Sequence, residues 1–309
     1  MELEIVKSII QISGIIFIGW LAGYRGHITK DHLTSWSRVV VDYLFPLLAF
    51  YSITRGFEPS DIQTLWPLPV IGFSLMAFGG ISGIALGKLL HSSNDDVRRT
   101  FYHICTVNNY GFLPIIIVAN LWSEPGVARL FLLNLGSNIG YWTIGVSMLG
   151  KSSTSEKFKN LLSPPLIAII LALAFAFTGL RVYIPETLMK IAHTGGSISV
   201  PLILILVGAS MFPLPRISQP FDLVFMTIVR LILLPLACVL ILSMLPITEN
   251  VRNVALIVSL MPASLSSTVM TRRFGGDPDF AVQTAILTTL GAIITVPAWI
   301  WIVHSFIFS

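Results

Sequence analysis

Ten long apolar stretches, joined by connectors of a few to a dozen residues, decide what solvent this chain can fold in. They fall near 5–24, 33–54, 65–90, 100–121, 127–149, 161–180, 187–212, 221–245, 251–271 and 280–307. A bilayer core about 30 Å thick takes about 20 apolar residues of helix to cross, and each stretch reaches or approaches that length. The 309 residues are 54% hydrophobic and only 11% charged, whereas soluble domains carry about 25% charged residues. That much apolar surface has no place to hide in water. The expected fold class is an all-α integral membrane protein, with lipid as the partner of its outer surface. The connectors leave no room for a soluble catalytic domain.

Two of the stretches are broken at their midpoints. The first reads Thr106-Val-Asn-Asn-Tyr-Gly-Phe-Leu-Pro114, and the second Ser259-Leu-Met-Pro-Ala-Ser-Leu-Ser-Ser-Thr268. A proline inside a helix removes a backbone hydrogen bond and costs about 3 kcal/mol. Bare backbone at membrane depth survives only where protein or a watery cavity satisfies it. Matched broken helices in two halves of a chain point to the central site of a secondary transporter.

Charge sets the topology. With ten spans the connectors alternate sides. One set holds Arg25, Lys30, Arg38, Lys88, Arg98, Arg99, Lys151, Lys157, Lys159, Arg216, Arg272 and Arg273; the other holds Lys7, Arg55, Arg129, Arg181, Lys190 and Arg252. The positive-inside rule places the richer set in the cytoplasm and both termini outside. The net charge of +4 is spent on this asymmetry and gives no reason to expect nucleic acid. The serine-rich connector Lys151-Ser-Ser-Thr-Ser-Glu-Lys-Phe-Lys-Asn160 divides the chain into 1–150 and 161–309, five spans each. Five is odd, so the second half enters the membrane with opposite polarity, as an inverted repeat. Pro46 and Pro201, and Pro114 and Pro262, recur at similar offsets. Met1-Glu-Leu-Glu-Ile-Val-Lys7 lacks a strongly basic start and no small-residue cleavage pattern follows, so the first span is expected to be retained.

The second halves of the broken spans, starting near Pro114 and Pro262, are expected to present helix N-termini at the bilayer midplane. Proline suits the first helical position. Each N-terminus carries about half a positive charge and free backbone donors, which together make an anion site without a charged side chain. Asn108 and Asn109 beside one break, and Ser264, Ser266, Ser267 and Thr268 beside the other, add neutral hydrogen-bonding groups. The same residues also suit plain satisfaction of broken backbone. Asp42 and Arg230 each lie about nine residues into a span, or roughly 13 Å by helical rise. Intramembrane charges are usually paired or functional, so the two are expected to interact or to gate. For Arg230 snorkelling to the interface is the competing reading, and for Asp42 a proton-carrying role competes with bonds to nearby backbone.

Cys105 and Cys238 fall inside spans without metal spacing, and are expected to be buried apolar residues. The tryptophans sit mostly near span ends, as an aromatic belt does. Gly79, Gly80, Gly83 and Gly87 form a small-residue face for close helix packing. Gly275-Gly-Asp-Pro-Asp279 is a run of turn formers, with too few carboxylates for calcium. No cofactor or metal is called for.

The sequence resembles the auxin efflux carrier family, which includes bacterial permeases for malonate and malate. Met261-Pro-Ala-Ser-Leu-Ser-Ser-Thr-Val-Met-Thr-Arg-Arg-Phe-Gly-Gly-Asp277 is similar to that family's Pro-Pro-Ala stretch running into an Arg-Tyr-Gly-Gly-Asp turn. Phe45-Pro-Leu-Leu-Ala-Phe-Tyr-Ser-Ile-Thr54, Val200-Pro-Leu-Ile-Leu-Ile-Leu-Val-Gly-Ala-Ser210 and Leu231-Ile-Leu-Leu-Pro-Leu236 extend the likeness. Two departures stand out. In Asn109-Tyr-Gly-Phe-Leu-Pro-Ile-Ile116 the proline comes two residues early, and Met261 replaces the first proline of the second break. The resemblance implies ten helices in the fold of bile-acid and sodium–proton transporters. Spans 1, 2, 6 and 7 would be a scaffold, and spans 3–5 and 8–10 a moving unit that contains the crossing. The expected substrate contacts are Asn108, Asn109, Tyr110, Gly111, Pro114, Pro262, Ser264, Ser266 and Ser267 at the breaks, and the resemblance adds Asn138.

The expected function is carriage of a small organic anion by alternating access in the cell membrane. A homodimer is compatible with this architecture. A cation–proton antiporter or sodium-coupled symporter of the same superfold is the alternative, although antiporters place carboxylates at the crossing and neither break has an Asp or Glu. An intramembrane enzyme is disfavoured: no His-Glu-x-x-His and no Gly-x-Ser-x-Gly occurs.

Overall fold

A computed structural model of the chain describes residues 2–151, 153, 156, 162–212 and 217–306. The linker expected at 151–160 lies outside the described residues, apart from Lys151, Ser153 and Glu156. Arg216 and Ser309 lie outside them as well.

Helices account for every apolar stretch. They are α1 (Glu2–Tyr24), α2 (Lys30–Val39), α3 (Phe45–Gly56), the single turn α4 (Ile62–Leu65), α5 (Pro67–Leu86), α6 (Asp95–Thr106) and α7 (Phe112–Gly140). The second half contributes α8 (Pro164–Phe177), α9 (Glu186–Ser210), α10 (Pro220–Ile228), α11 (Leu234–Met244), α12 (Glu249–Ser259), α13 (Ser266–Phe274) and α14 (Pro278–Phe306). No strand forms among the described residues, beyond one isolated bridge. Among the described residues, six helical segments are long and apolar enough to cross a membrane: Asp31–Gly56, Pro59–Leu89, Phe112–Leu149, Glu186–Ser210, Pro220–Met244 and Pro278–Val303. Ile10–Tyr24 and Pro164–Phe177 are shorter apolar helices. The remaining two stretches are the broken ones, the first built from α6 and the start of α7 as far as Ser123, the second from the short helices α12 and α13. The outward faces carry exposed Ile81, Ile228 and Ile294, a surface fit for lipid and too apolar for water.

Helix starts follow local chemistry. Asn94 Oδ1 accepts the Asp96 N–H at 2.9 Å to cap α6. Asp277 Oδ1 accepts the N–H groups of Asp279 and Phe280 to cap α14. The turn before it needs positive φ at Gly275 (97°) and Gly276 (109°), where a Cβ would be strained. Inside α7, Ser123 breaks the helical run with φ 52° and ψ −150°, two residues before Pro125. This separates the two spans expected at 100–121 and 127–149.

Wide π turns at Val40–Leu44 and Val229–Leu233 were not legible in the sequence. Each precedes a proline, Pro46 and Pro235, that sits in the first turn of the next helix. A proline ring collides with the carbonyl four residues back. A π turn takes up one extra residue there and relieves the clash. Asp42 lies in the first of these turns and Arg230 in the second.

Glycine lets the backbones touch. A Cβ on Gly19 would lie 2.0 Å from the Ile205 carbonyl oxygen, and one on Gly208 would lie 1.9 Å from that of Ile16, so α1 and α9 meet backbone to backbone. Gly72 and Gly136 do the same for α5 and α7. Gly79 and Gly83 press on Cys105 of α6, as expected for that small-residue face. α3 packs on α7, α8 and α9. Phe45 locks α3 to α7 through edge-on rings of Phe112 and Phe131, with centroids 5.0 and 5.3 Å away. A buried carboxylate, Asp222, ties the 90–94 connector to α10 by accepting the His91 and Ser92 N–H groups at 2.8 and 2.9 Å.

Candidate functional site

Residues 107–111 separate α6 from α7, and residues 260–265 separate α12 from α13. These two irregular segments lie antiparallel against each other, in a bridge between Asn108 and Ala263. The Asn109 N–H donates to the Pro262 carbonyl at 2.8 Å. Asn108 Nδ2 donates to the Val258 carbonyl at 2.5 Å, and the Ala263 N–H donates to Thr288 Oγ1 of α14 at 3.2 Å. Each break thus supplies hydrogen bonds that the other lacks, which is how unwound backbone survives inside an apolar bundle.

The two asparagines do different work. Asn108 is buried with its amide N–H₂ committed to α12, and its Oδ1 has no partner. Asn109 spends its backbone N–H on Pro262 and its Oδ1 on the Phe112 N–H at 3.3 Å. Its Nδ2 makes no hydrogen bond among the described residues and so keeps free donors at this break. Tyr110 and Gly111 are half-buried and complete the turn, with the Tyr110 N–H donating to the Asn108 carbonyl at 3.0 Å.

The helix starts differ from the expectation. α7 begins at Phe112, which puts Pro114 in its third position, and α13 begins at Ser266, four residues beyond Pro262. Ser264 takes over the start of α13. Its Oγ accepts the Ser266 N–H at 3.3 Å and its carbonyl accepts the Ser267 N–H at 3.1 Å. The Thr268 N–H goes to the Leu265 carbonyl. The free backbone donors expected there are already used, so α13 offers its dipole and hydroxyls. Ser266 is exposed, its Oγ 2.8 Å from that of Ser264 and 3.4 Å from Tyr141 Oη. Ser267 is fully buried with an unpartnered hydroxyl. Asn138 is half-buried one turn before Tyr141 and has no hydrogen bond to either break.

Arg230 does not snorkel. It is 4% exposed, and its Nε and Nη1 donate to the carbonyls of Met261 at 3.1 Å and Cys105 at 3.2 Å. One acceptor is at the end of α6, just before the first break, and the other is in the second break. The expected contact with Asp42 is not made in this structure: Asp42 sits on the exposed side of its π turn and forms no ion pair among the described residues. Cys105 and Cys238 are free and buried, and both line the cavity in front of Arg230 with Thr106, Asn108 and Ser259. A second, apolar cavity lies on another side of the breaks. It is walled by Ile12 and Ile16 of α1, Leu113 and Ile117 of α7, Met261 and Pro262, and Thr289 and Val296 of α14. Thr288 escaped the sequence reading. Thr284 and Thr288, four residues apart and fully buried on a largely apolar helix, were the signal available.

The model of the membrane transport protein family, the auxin efflux carriers, matches residues 4–300. This chain belongs to that family. Relatives are similar along nearly their whole lengths. An uncharacterized transporter of Methanocaldococcus jannaschii is 25% identical over 293 residues, covering 93% of this chain and 95% of the relative. One of Methanothermobacter thermautotrophicus is 23% identical, over 95% and 96%. The uncharacterized transporter YfdV of Escherichia coli K12 is 20% identical, over 96% and 97%. As an auxin efflux carrier family member, the chain is a membrane transport protein, and the meeting of its two breaks is the natural place to look for the cargo.

Proposed function

We propose that this protein carries a small organic anion, a mono- or dicarboxylate, across the cell membrane by alternating access. The observation that carries the reading is the contact between the two breaks. It brings the N-terminal ends of α7 and α13 to the same region with amide and hydroxyl groups and no carboxylate. Helix N-termini favour anions, and neutral donors hold a carboxylate loosely enough to release it. The missing carboxylate argues against an antiporter, and membership in a transporter family argues against an enzyme. The apolar cavity beside Pro262 suits the hydrocarbon part of an organic acid.

In this reading the ten helical stretches form two inverted five-span repeats whose breaks cross at the bilayer midplane. α1, α2–α3, α8 and α9 form the scaffold and the rest move, an architecture compatible with a homodimer. Uptake of a panel of radiolabelled mono- and dicarboxylates into proteoliposomes, with and without proton gradients, tests the cargo. Saturable uptake of at least one acid above protein-free liposomes is expected, and absence of uptake across the panel overturns the reading.

The orientation has its own test. Both termini are expected outside and the central connector inside. In a Cys-free background, cysteine at Ser153 should resist an impermeant thiol reagent applied to intact cells, and cysteine at Ser309 should react. Labelling at 153 with protection at 309 would reverse the topology.

A further inference from the structure

Arg230 is a buried guanidinium with no carboxylate beside it among the described residues, and its hydrogen-bond partners are main-chain carbonyls. Cys105 lies at the C-terminal end of α6, and Met261 lies just past the end of α12. Their carbonyls have lost helical partners to the breaks and point at Arg230. Asn108 Oδ1 belongs to the same cavity lining, buried and unpartnered. Thr106 and Ser259 line it too, and their hydroxyl protons are already given to the carbonyls of Tyr102 and Leu256, each at 2.8 Å. Only their lone pairs remain to offer. The polar part of this wall, carbonyl, amide and hydroxyl oxygens set among the apolar Leu75, Met76, Phe78 and Leu234, has the chemistry of a cation site.

The charges balance. A helix C-terminus carries about half a negative charge. The two that end here sum to about one, which a single guanidinium cancels. In carriers with broken helices, unwound carbonyls and half-helix C-terminal ends are where a coupling sodium ion or proton is held. We propose that the space between the ends of α6 and α12 is a monovalent-cation site that Arg230 fills permanently, so that no sodium ion is needed there. The π turn at Val229–Leu233 is the local device that delivers the side chain to this site. The consequence for coupling rests on the carrier reading above; the occupancy of the site does not.

The test therefore reads thermal stability of the full-length protein in detergent, which needs no substrate. Arg230→Ala should melt several degrees below wild type. Millimolar guanidinium chloride should restore most of the deficit in a saturable way, while tetramethylammonium chloride at equal ionic strength should not. If Arg230→Ala cannot be purified, Arg230→Lys and Arg230→Met put the same question with long side chains. Lysine should keep most of the stability and methionine should not. Wild-type protein should melt at the same temperature in sodium and choline salts, because a ligand that binds the native state raises its melting point. Three results overturn the proposal: saturable stabilisation of wild type by sodium, equal melting of the lysine and methionine variants, or equal action of guanidinium and tetramethylammonium on Arg230→Ala. Failure of carboxylate uptake would leave these readings untouched.

Discussion

Gly136→Val should leave almost no folded protein to purify. A Cβ at this position would lie 1.6 Å from the Pro69 carbonyl oxygen, 2.6 Å from its carbon and 2.8 Å from the Phe73 nitrogen. All three are main-chain atoms of α5, so no side chain can swing aside. Overpacking usually costs about 1–3 kcal/mol when neighbours can give way. Here whole helices must separate, and Gly136→Ala already belongs at the top of that range. The damage would not stay local. α5 also presses Gly79 against the Cys105 carbonyl, and α7 begins at the first break. Gly14→Ala is the matched control, since a Cβ there meets nothing within 4 Å and alanine is the better helix former by about 1 kcal/mol. Detergent-solubilised Gly136→Val should run aggregated on size exclusion while Gly14→Ala runs as wild type. A monodisperse Gly136→Val protein with wild-type melting would disprove the close approach of α5 and α7.

How much of this was legible follows from what a sequence pattern encodes. Apolar length located the helices, because lipid demands it of every span, and proline with polar neighbours located both breaks. The pairing of the breaks was not encoded in either one. It depends on Asn109 and Pro262 exchanging a backbone bond across 153 residues of chain. Depth in the membrane suggested Asp42 for Arg230, but depth is one coordinate, and the direction a residue faces around the helix is another. Asp42 faces outward from its π turn, and Arg230 faces inward from the other. A search for opposite charges also overlooked carbonyls, although every broken helix leaves some without partners. Pro262 was read as a helix start because proline favours that position. Ser264 won it instead, by offering both a hydroxyl and a carbonyl to the N–H groups that follow.

Asn109→Asp should abolish carboxylate uptake while the protein stays folded. The substitution keeps what Asn109 does for the structure. Its backbone N–H still reaches the Pro262 carbonyl, and a carboxylate oxygen still accepts from the Phe112 N–H. The new charge lies at the N-terminus of α7, where a negative group gains about 0.3–1 kcal/mol from the helix dipole, offsetting part of its desolvation. What changes is the free edge. Two unbonded N–H donors become an acceptor with a full negative charge. At about 4 Å and an effective dielectric near 20, two like unit charges repel by about 4 kcal/mol, close to a thousandfold loss of affinity. Asn109→Ala removes the donors without adding charge and should cost about 1–3 kcal/mol of binding. Asn108→Asp is the contrast. Its amide holds the Val258 carbonyl at 2.5 Å, so a carboxylate there sets two acceptors against each other and should lower the melting temperature itself. Uptake and melting measured together on the three variants separate cargo binding from scaffolding. Undiminished uptake by Asn109→Asp would remove Asn109 from the cargo site.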